Sequence, residues 1–150
     1  MPLHPLVVHA VVIFGPLAVL TGLVYAAVPR WRWLLRWPLV ALALMTAGAA
    51  VLGAASGEDL LAARPELAPL VEEHRDYGEL LRTVSLAYVA VVALAAWALG
   101  GVSALASGRG ARESRGAFGK VAAVLLVAGA IGLGVTVFLA GDSGARAVWG

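Results

Sequence analysis

Residues 121–140 read VAAVLLVAGAIGLGVTVFLA, twenty consecutive positions without a charged side chain. A helix of about 20 apolar residues is long enough to cross the ~30 Å hydrocarbon layer of a bilayer. The apolar residues run continuously instead of alternating with polar ones, which favours a helix over a barrel strand with one polar face. Three similar stretches precede this one. The predicted spans are therefore residues 6–28, 34–56, 81–105 and 121–140.

The composition indicates the same class of protein. Of the 150 residues, 61% are apolar and 13% are charged, whereas about a quarter of an average soluble domain is charged. A soluble core of this size could not bury so much apolar surface, because its outside would have to be polar. We predict an all-α fold: a polytopic membrane protein whose residues 1–150 form one bundle of four transmembrane helices in a lipid bilayer.

The charges of the loops predict an orientation. The first loop holds Arg30, Arg32 and Arg36, and residues 107–120 hold four further basic residues, whereas residues 57–82 hold seven acids and three arginines. Because loops rich in Lys and Arg stay in the cytoplasm, both termini and the acidic loop are expected on the non-cytoplasmic side of a plasma (inner) membrane. This topology accounts for the basic residues, so we expect no nucleic-acid partner. A cleavable signal peptide begins with basic residues, and none precedes the first span here. The first span is therefore expected to be retained.

The acidic loop contains a helix signal of its own. Leu67, Leu70, Val71 and His74 fall close to one stripe at helical spacing. Pro69 suits a first helical turn, where its missing N–H costs nothing. We predict a short amphipathic outer segment that begins near Pro69, runs on into the third span and turns His74 toward the bundle.

Small residues recur at helical spacing on two spans. On one helix face they allow close backbone packing in lipid, and they also leave room for a flat macrocycle between helices. The residues are Ala49, Gly53 and Gly57 on the second span and Ala128, Gly132 and Gly134 on the fourth.

Three histidines converge on the outer face under this topology. His4 precedes the first span, His9 lies about one turn inside it, and His74 lies just before the third. An imidazole at an interface is often bonded only to a carbonyl or to water. His9 stands among apolar residues, where an ionisable group is costly and indicates a functional site with a partner.

Two facing imidazoles suit the axial positions of a b-type haem, which needs no cysteine. The chain contains no cysteine, which excludes thiolate metal sites, disulfides and covalently attached c-type haem. His9 and His74 are the expected ligand pair, with His4 as an alternative ligand or a supporting group. Arg75 and Arg146 are the cations available to the haem propionates.

Two other functions remain open. His4, His9 and His74 could bind a zinc, copper or iron ion, with an oxygen ligand from Glu73, Asp76 or Asp142. Alternatively, the chain is a structural or assembly subunit whose glycine faces bind a partner helix. We see no phosphate loop, no Ser-His-Asp arrangement and no HExxH motif, and expect a non-catalytic protein with a membrane redox partner or a homo-oligomer as its context.

The opening segment, residues 4–12 with the sequence HPLVVHAVV, resembles the HP-x-x-VH-F-P-I signature of a bacterial membrane family named domain of unknown function 2231. His74 before the third span and the glycine-rich close at residues 141–149 are similar to the family's later motifs. Ala10 and Val11 stand where the family usually has Phe and Pro, and the closing His-Gly is missing. The resemblance covers essentially the whole chain and implies four spans. Because similar members occur fused to cytochrome-like modules, it also implies haem or electron transfer.

Overall fold

Four long helices make up almost all of the computed structural model, which describes residues 3–100 and 116–150. They confirm the predicted all-α fold, and no strand occurs in these two ranges. The helices are α1 (Leu3–Ala27), α2 (Arg32–Ala63), α3 (Ala68–Leu99) and α4 (Gly116–Trp149).

Prolines set the ends of the first two helices. Val28 precedes Pro29 and leaves the helical region, with φ −120° and ψ 83°. Arg64 precedes Pro65 and does the same, with φ −138° and ψ 72°. The proline ring disfavours the α conformation of the residue before it, so each helix stops there and the chain reverses through one turn of 3-10 helix.

All four helices are long and apolar enough to cross a membrane. They include the predicted spans, except that α1 ends one residue earlier than predicted and that residues 101–105 lie outside the described part of the chain. The basic loop at residues 107–115 lies outside it as well. Where the bilayer begins and ends along each helix stays a prediction.

The predicted amphipathic segment forms the beginning of α3, while its place on the outer side of the membrane stays a prediction. This helix starts at Ala68 with Pro69 in its first turn and continues unbroken to Leu99. His74 is therefore carried on a helix that is anchored in the bundle, and its position is fixed by the packing of the whole of α3.

The helices pack as a four-membered ring around a shared core. α1 lies against α2 and α4, and α3 lies against the same two helices, so α1 and α3 face each other diagonally. The outward surfaces carry large apolar side chains, among them Leu20 at 60% exposure and Phe138 at 70%. Such a surface is stable only in an apolar solvent, so the bundle is a membrane protein.

The buried positions show that the second helix pair repeats the first. Each buried position of α1 has a buried counterpart 70 residues later in α3, and most buried positions of α2 have a buried counterpart 87 residues later in α4. The chain thus contains the same two-helix hairpin twice, and α1 and α3 run in the same direction, as do α2 and α4. The matching positions are Val11, Gly15, Ala18, Gly22 and Tyr25 with Leu81, Ser85, Tyr88, Val92 and Ala95, and Leu39, Ala43, Thr46, Ala49 and Gly53 with Leu126, Ala130, Leu133, Thr136 and Ala140.

Most of the predicted small residues lie at helix contacts. Ala49 and Gly53 are buried, and a Cβ placed on Gly53 would lie 3.8 Å from Val7. Gly134 faces Val19 in the same way, at 3.7 Å. Ala128 differs from the prediction, because its side chain is exposed on the outer surface of α4.

Candidate functional site: a pair of histidines held by helix carbonyls

His4 at the start of α1 reaches across to the end of α2. Its Nδ1 lies 3.0 Å from the carbonyl oxygen of Gly53 and 3.2 Å from Oγ of Ser56. Ser56 donates its own hydroxyl hydrogen to the same carbonyl, at 3.1 Å. A carbonyl oxygen only accepts hydrogen bonds, so the proton of the neutral imidazole is assigned to Nδ1.

His74 near the start of α3 makes the same set of contacts with the end of α4. Its Nδ1 lies 3.0 Å from the carbonyl oxygen of Ala140 and 3.4 Å from Oγ of Ser143, which donates to that carbonyl at 3.2 Å. The half-buried imidazole is thereby fixed in the same tautomer as that of His4. The two hairpins of the repeat each supply one histidine, one carbonyl and one serine.

The two imidazoles meet at the centre of this end of the bundle. Their ring centroids are 6.0 Å apart and their planes are inclined at 80°. Neither Nε2 has a hydrogen-bond partner among residues 3–100 and 116–150. In its neutral form each ring therefore keeps an unshared electron pair on Nε2, which is the pair that binds a metal.

Two glycines, one on α2 and one on α4, allow the imidazoles to lie close to the helix backbone. A Cβ on Gly57 would lie 3.3 Å from Cε1 of His4, and one on Gly144 would lie 3.0 Å from Cε1 and 3.1 Å from Nδ1 of His74. These contacts are tighter than the usual separation between a Cβ and its neighbours. A side chain at either position would push the ring away from its carbonyl.

We predict that Gly144→Ala lowers the free energy of unfolding by about 1–3 kcal/mol, the usual range for overpacking a well-packed site. The matched control is Gly141→Ala on the same helix, because no atom of the described residues lies within 4 Å of a Cβ at Gly141. Both variants can be measured by unfolding the detergent-solubilised protein with sodium dodecyl sulfate. Equal stability of the two variants would contradict the contact between Gly144 and His74.

His9 does not join this pair. It is exposed on α1, and its Nδ1 lies 2.6 Å from the carbonyl oxygen of Pro5 on the same helix. The sequence analysis paired His74 with His9. The structure instead brings His74 together with His4. A ligand role for His9 stays a prediction.

The predicted cations lie near His74, and only one of them is paired. Arg146 is half exposed and forms ion pairs with Glu73, at 3.1 Å, and with Asp142. It ties the end of α4 to the start of α3 beside the histidine. Arg75 is exposed and has no ion pair with any described residue. Within the described ranges, no group of three His, Cys, Asp or Glu side chains could hold a metal ion.

The two serines that contact the imidazoles were not predicted from the sequence. Ser56 and Ser143 looked like ordinary polar residues at the ends of apolar spans. The repeat contains the signal that could have found them, because Ser56-Gly57 and Ser143-Gly144 recur 87 residues apart, while His4 and His74 recur 70 residues apart.

Taken together, four apolar helices and a pair of histidines at one end of their bundle define a small polytopic membrane protein. The chain belongs to the family described as "Predicted membrane protein (DUF2231)", whose family model matches residues 1–150. Searches of curated proteins and of solved structures gave no match.

Proposed function

We propose that this protein binds haem b between His4 and His74 and transfers electrons at the outer face of the membrane. The observation that carries the proposal is the pair of imidazoles whose Nδ1 atoms are held by helix carbonyls. Ligating histidines commonly donate their second ring N–H to a carbonyl or carboxylate, which fixes the tautomer and makes the ligand more basic.

The separation of the rings supports the two histidines as ligands of one iron. A metal–imidazole bond is about 2.0–2.1 Å long, and the ring centroid lies about 1 Å beyond the ligating nitrogen. Rings with centroids about 6 Å apart could therefore both reach a single iron held between them. The rings of His4 and His74 are 6.0 Å apart.

The number of donors favours haem over a bare metal ion. Zinc sites use three or four protein ligands, as a rule, whereas this end of the bundle brings together two imidazoles. Glu73 and Asp142 are paired with Arg146. Haem supplies most of the ligands of its iron itself, so two histidines, His4 and His74, would be enough to hold it.

The surrounding residues have defined tasks in this proposal. The carbonyls of Gly53 and Ala140 accept the Nδ1 hydrogens of His4 and His74. Gly57 and Gly144 have no side chain, so the imidazoles can lie close to the helix backbone. Arg75, which has no ion pair with any described residue, would provide positive charge for the propionates. Arg146 is already paired with Glu73 and Asp142, so it would hold this end of the bundle together beside His74. When bound, the haem would supply one-electron chemistry, with a potential governed by the axial ligands and their burial.

The proposed orientation places the histidine pair on the non-cytoplasmic side of the plasma membrane. It rests on the charges of the connections: Arg30, Arg32 and Arg36 lie between α1 and α2, whereas acids dominate the connection between α2 and α3. Electrons would then be exchanged with a partner on the outer face or within the membrane.

Single cysteines test this orientation without interference, because the natural chain has none. We expect Ala63→Cys, exposed at the end of α2, to react with a membrane-impermeant maleimide in right-side-out vesicles. Ala27→Cys, exposed at the end of α1, should react only in inside-out vesicles. The reverse pattern would place the histidine pair in the cytoplasm.

An absorption spectrum of the detergent-purified protein, from cells well supplied with haem, tests the cofactor. We expect a Soret band that sharpens on reduction with dithionite, together with resolved α and β bands and about one iron per chain. Metal analysis of the same sample is the control. A colourless protein with bound copper or zinc would establish a metal-ion site, and a colourless, metal-free protein would leave a structural role.

A further inference from the structure

A cavity of about 320 Å³ opens between α2 and α3 at the opposite end of the bundle from the histidines. Its walls are apolar along most of their length, with Val40 and Leu44 from α2 and Val92 from α3. Trp37 and Trp97 stand near its end, where the side chain of Arg36 also enters the lining. The cavity is an apolar groove with a guanidinium at one end.

The guanidinium of Arg36 is incompletely satisfied. Its Nε is buried and has no hydrogen-bond partner among residues 3–100 and 116–150. The group is held close to the end of α3, because a Cβ on Gly100 would lie 2.7 Å from Cζ of Arg36, and it lies 5.3 Å from the ring centroid of Trp37. A buried donor without a partner costs free energy that an anionic acceptor could recover.

The neighbouring arginine shows what a satisfied guanidinium looks like in this fold. Arg32 is buried and donates from Nε to the carbonyl of Tyr25 and from Nη2 to that of Ala26, both at 2.9 Å. It thereby caps the end of α1. Arg36 has no such acceptor among the described residues.

Positive charge at this end has no acidic counterpart in the described part of the chain. Every described acid lies within residues 58–79 or at Asp142, near the histidine end. Arg30, Arg32, Arg36 and Lys120 lie at the cavity end. An anion that neutralises Arg36 must therefore come from outside the described part of the chain.

We propose that this groove binds one acidic phospholipid of the surrounding bilayer, with its phosphate on Arg36 and an acyl chain along the groove between α2 and α3. A guanidinium fork matches the geometry of phosphate oxygens. Basic pockets between transmembrane helices are known binding places for acidic headgroups, and tryptophans favour the same depth. The bilayer supplies such a ligand, and the site does not depend on the haem.

Native mass spectrometry of the purified full chain with added dioleoylphosphatidylglycerol tests the proposal. We expect one molecule to stay bound at activation energies that remove dioleoylphosphatidylcholine. Arg36→Gln should weaken phosphatidylglycerol binding about tenfold, because a hydrogen-bonded ion pair of this kind is lost. Arg30→Gln is the matched control. It removes the same charge, but Arg30 is exposed beside Trp31.

A second variant tests the groove with the arginine intact. Ala93→Phe places a ring in the groove and should reduce phosphatidylglycerol occupancy while Arg36 remains. The proposal fails if Arg36→Gln binds like the natural chain, if Arg30→Gln loses as much, or if phosphatidylcholine binds equally well. Displacement of the lipid by millimolar inorganic phosphate would identify a soluble anion as the ligand instead.

Discussion

Replacing His74 with alanine is expected to reduce bound haem about tenfold or more and to abolish the six-coordinate spectrum. In the proposed site the variant removes one of the two histidines that would hold the haem, and His4 alone would hold it less tightly. Loss even of a supporting hydrogen bond to a ligand commonly costs 10–100-fold in metal affinity. The measurement is the Soret absorbance per chain after purification, and His4→Ala should behave in the same way.

His9→Ala is the matched control for these two variants. His9 is exposed and bonded to its own helix, so its loss should leave the spectrum unchanged. If His9→Ala bleached the protein while His4→Ala did not, the ligands would be His9 and His74, the pair expected from the sequence.

A conservative replacement separates loss of the ligand from loss of the fold. His74→Met keeps a ligating side chain and is expected to retain haem with a raised potential, because methionine in an axial position favours the reduced iron. A folded His74→Met protein with the spectrum and potential of the natural chain would show that His74 is not a ligand. Ser143→Ala should have a smaller effect, since the carbonyl of Ala140 still holds Nδ1.

The helices and the inward position of His74 could be read from the sequence because hydrophobicity acts over long, uninterrupted stretches. Each span needs about 20 apolar residues whatever its neighbours are, and the stripe that contains Leu67, Leu70 and His74 is a local periodic pattern. The start of α3 at Ala68 agrees with that pattern. These features require no knowledge of tertiary contacts.

Hydrophobic patterns could not show which of His4 and His9 meets His74. The two residues are five positions apart, so on a helix they point about 140° away from each other. Both have apolar neighbours, and the hydropathy of α1 is high on every side, so the sequence does not show which face meets the bundle. Packing against α2 decides it, because the carbonyl of Gly53 and Oγ of Ser56 accept and hold His4.

The unpaired Nε of Arg36 could not be predicted either. Three arginines in one short loop look equivalent in the sequence, yet Arg32 caps α1 with two hydrogen bonds while Arg36 is turned toward Gly100 at the end of α3. Which of them is satisfied depends on the approach of two helix ends that are distant in the chain.

Gly22→Ala is expected to destabilise the bundle by about 1–3 kcal/mol, the cost of overpacking a filled core. Gly22 lies on α1 directly against the hydroxyl of Tyr88, so a Cβ at this position would clash with the oxygen. The hydroxyl is not free to move, because Tyr88 is buried and donates to the carbonyl of Ala18 at 3.1 Å. Gly48→Ala on α2 is the control, since a Cβ there would have no neighbour within 4 Å in the described part of the chain.

A second substitution shows whether the hydroxyl is the cause. Tyr88→Phe alone should cost about 0.5–1.5 kcal/mol for the lost hydrogen bond. In the double variant the oxygen that meets the new methyl group is gone, so the combined loss should be smaller than the sum of the two. Gly129→Ala provides the contrast, because its Cβ would meet ring carbon Cδ2 of Tyr88 at 3.1 Å. Removing the hydroxyl should not relieve that clash, and equal relief at Gly22 and Gly129 would refute the geometry assigned to Tyr88.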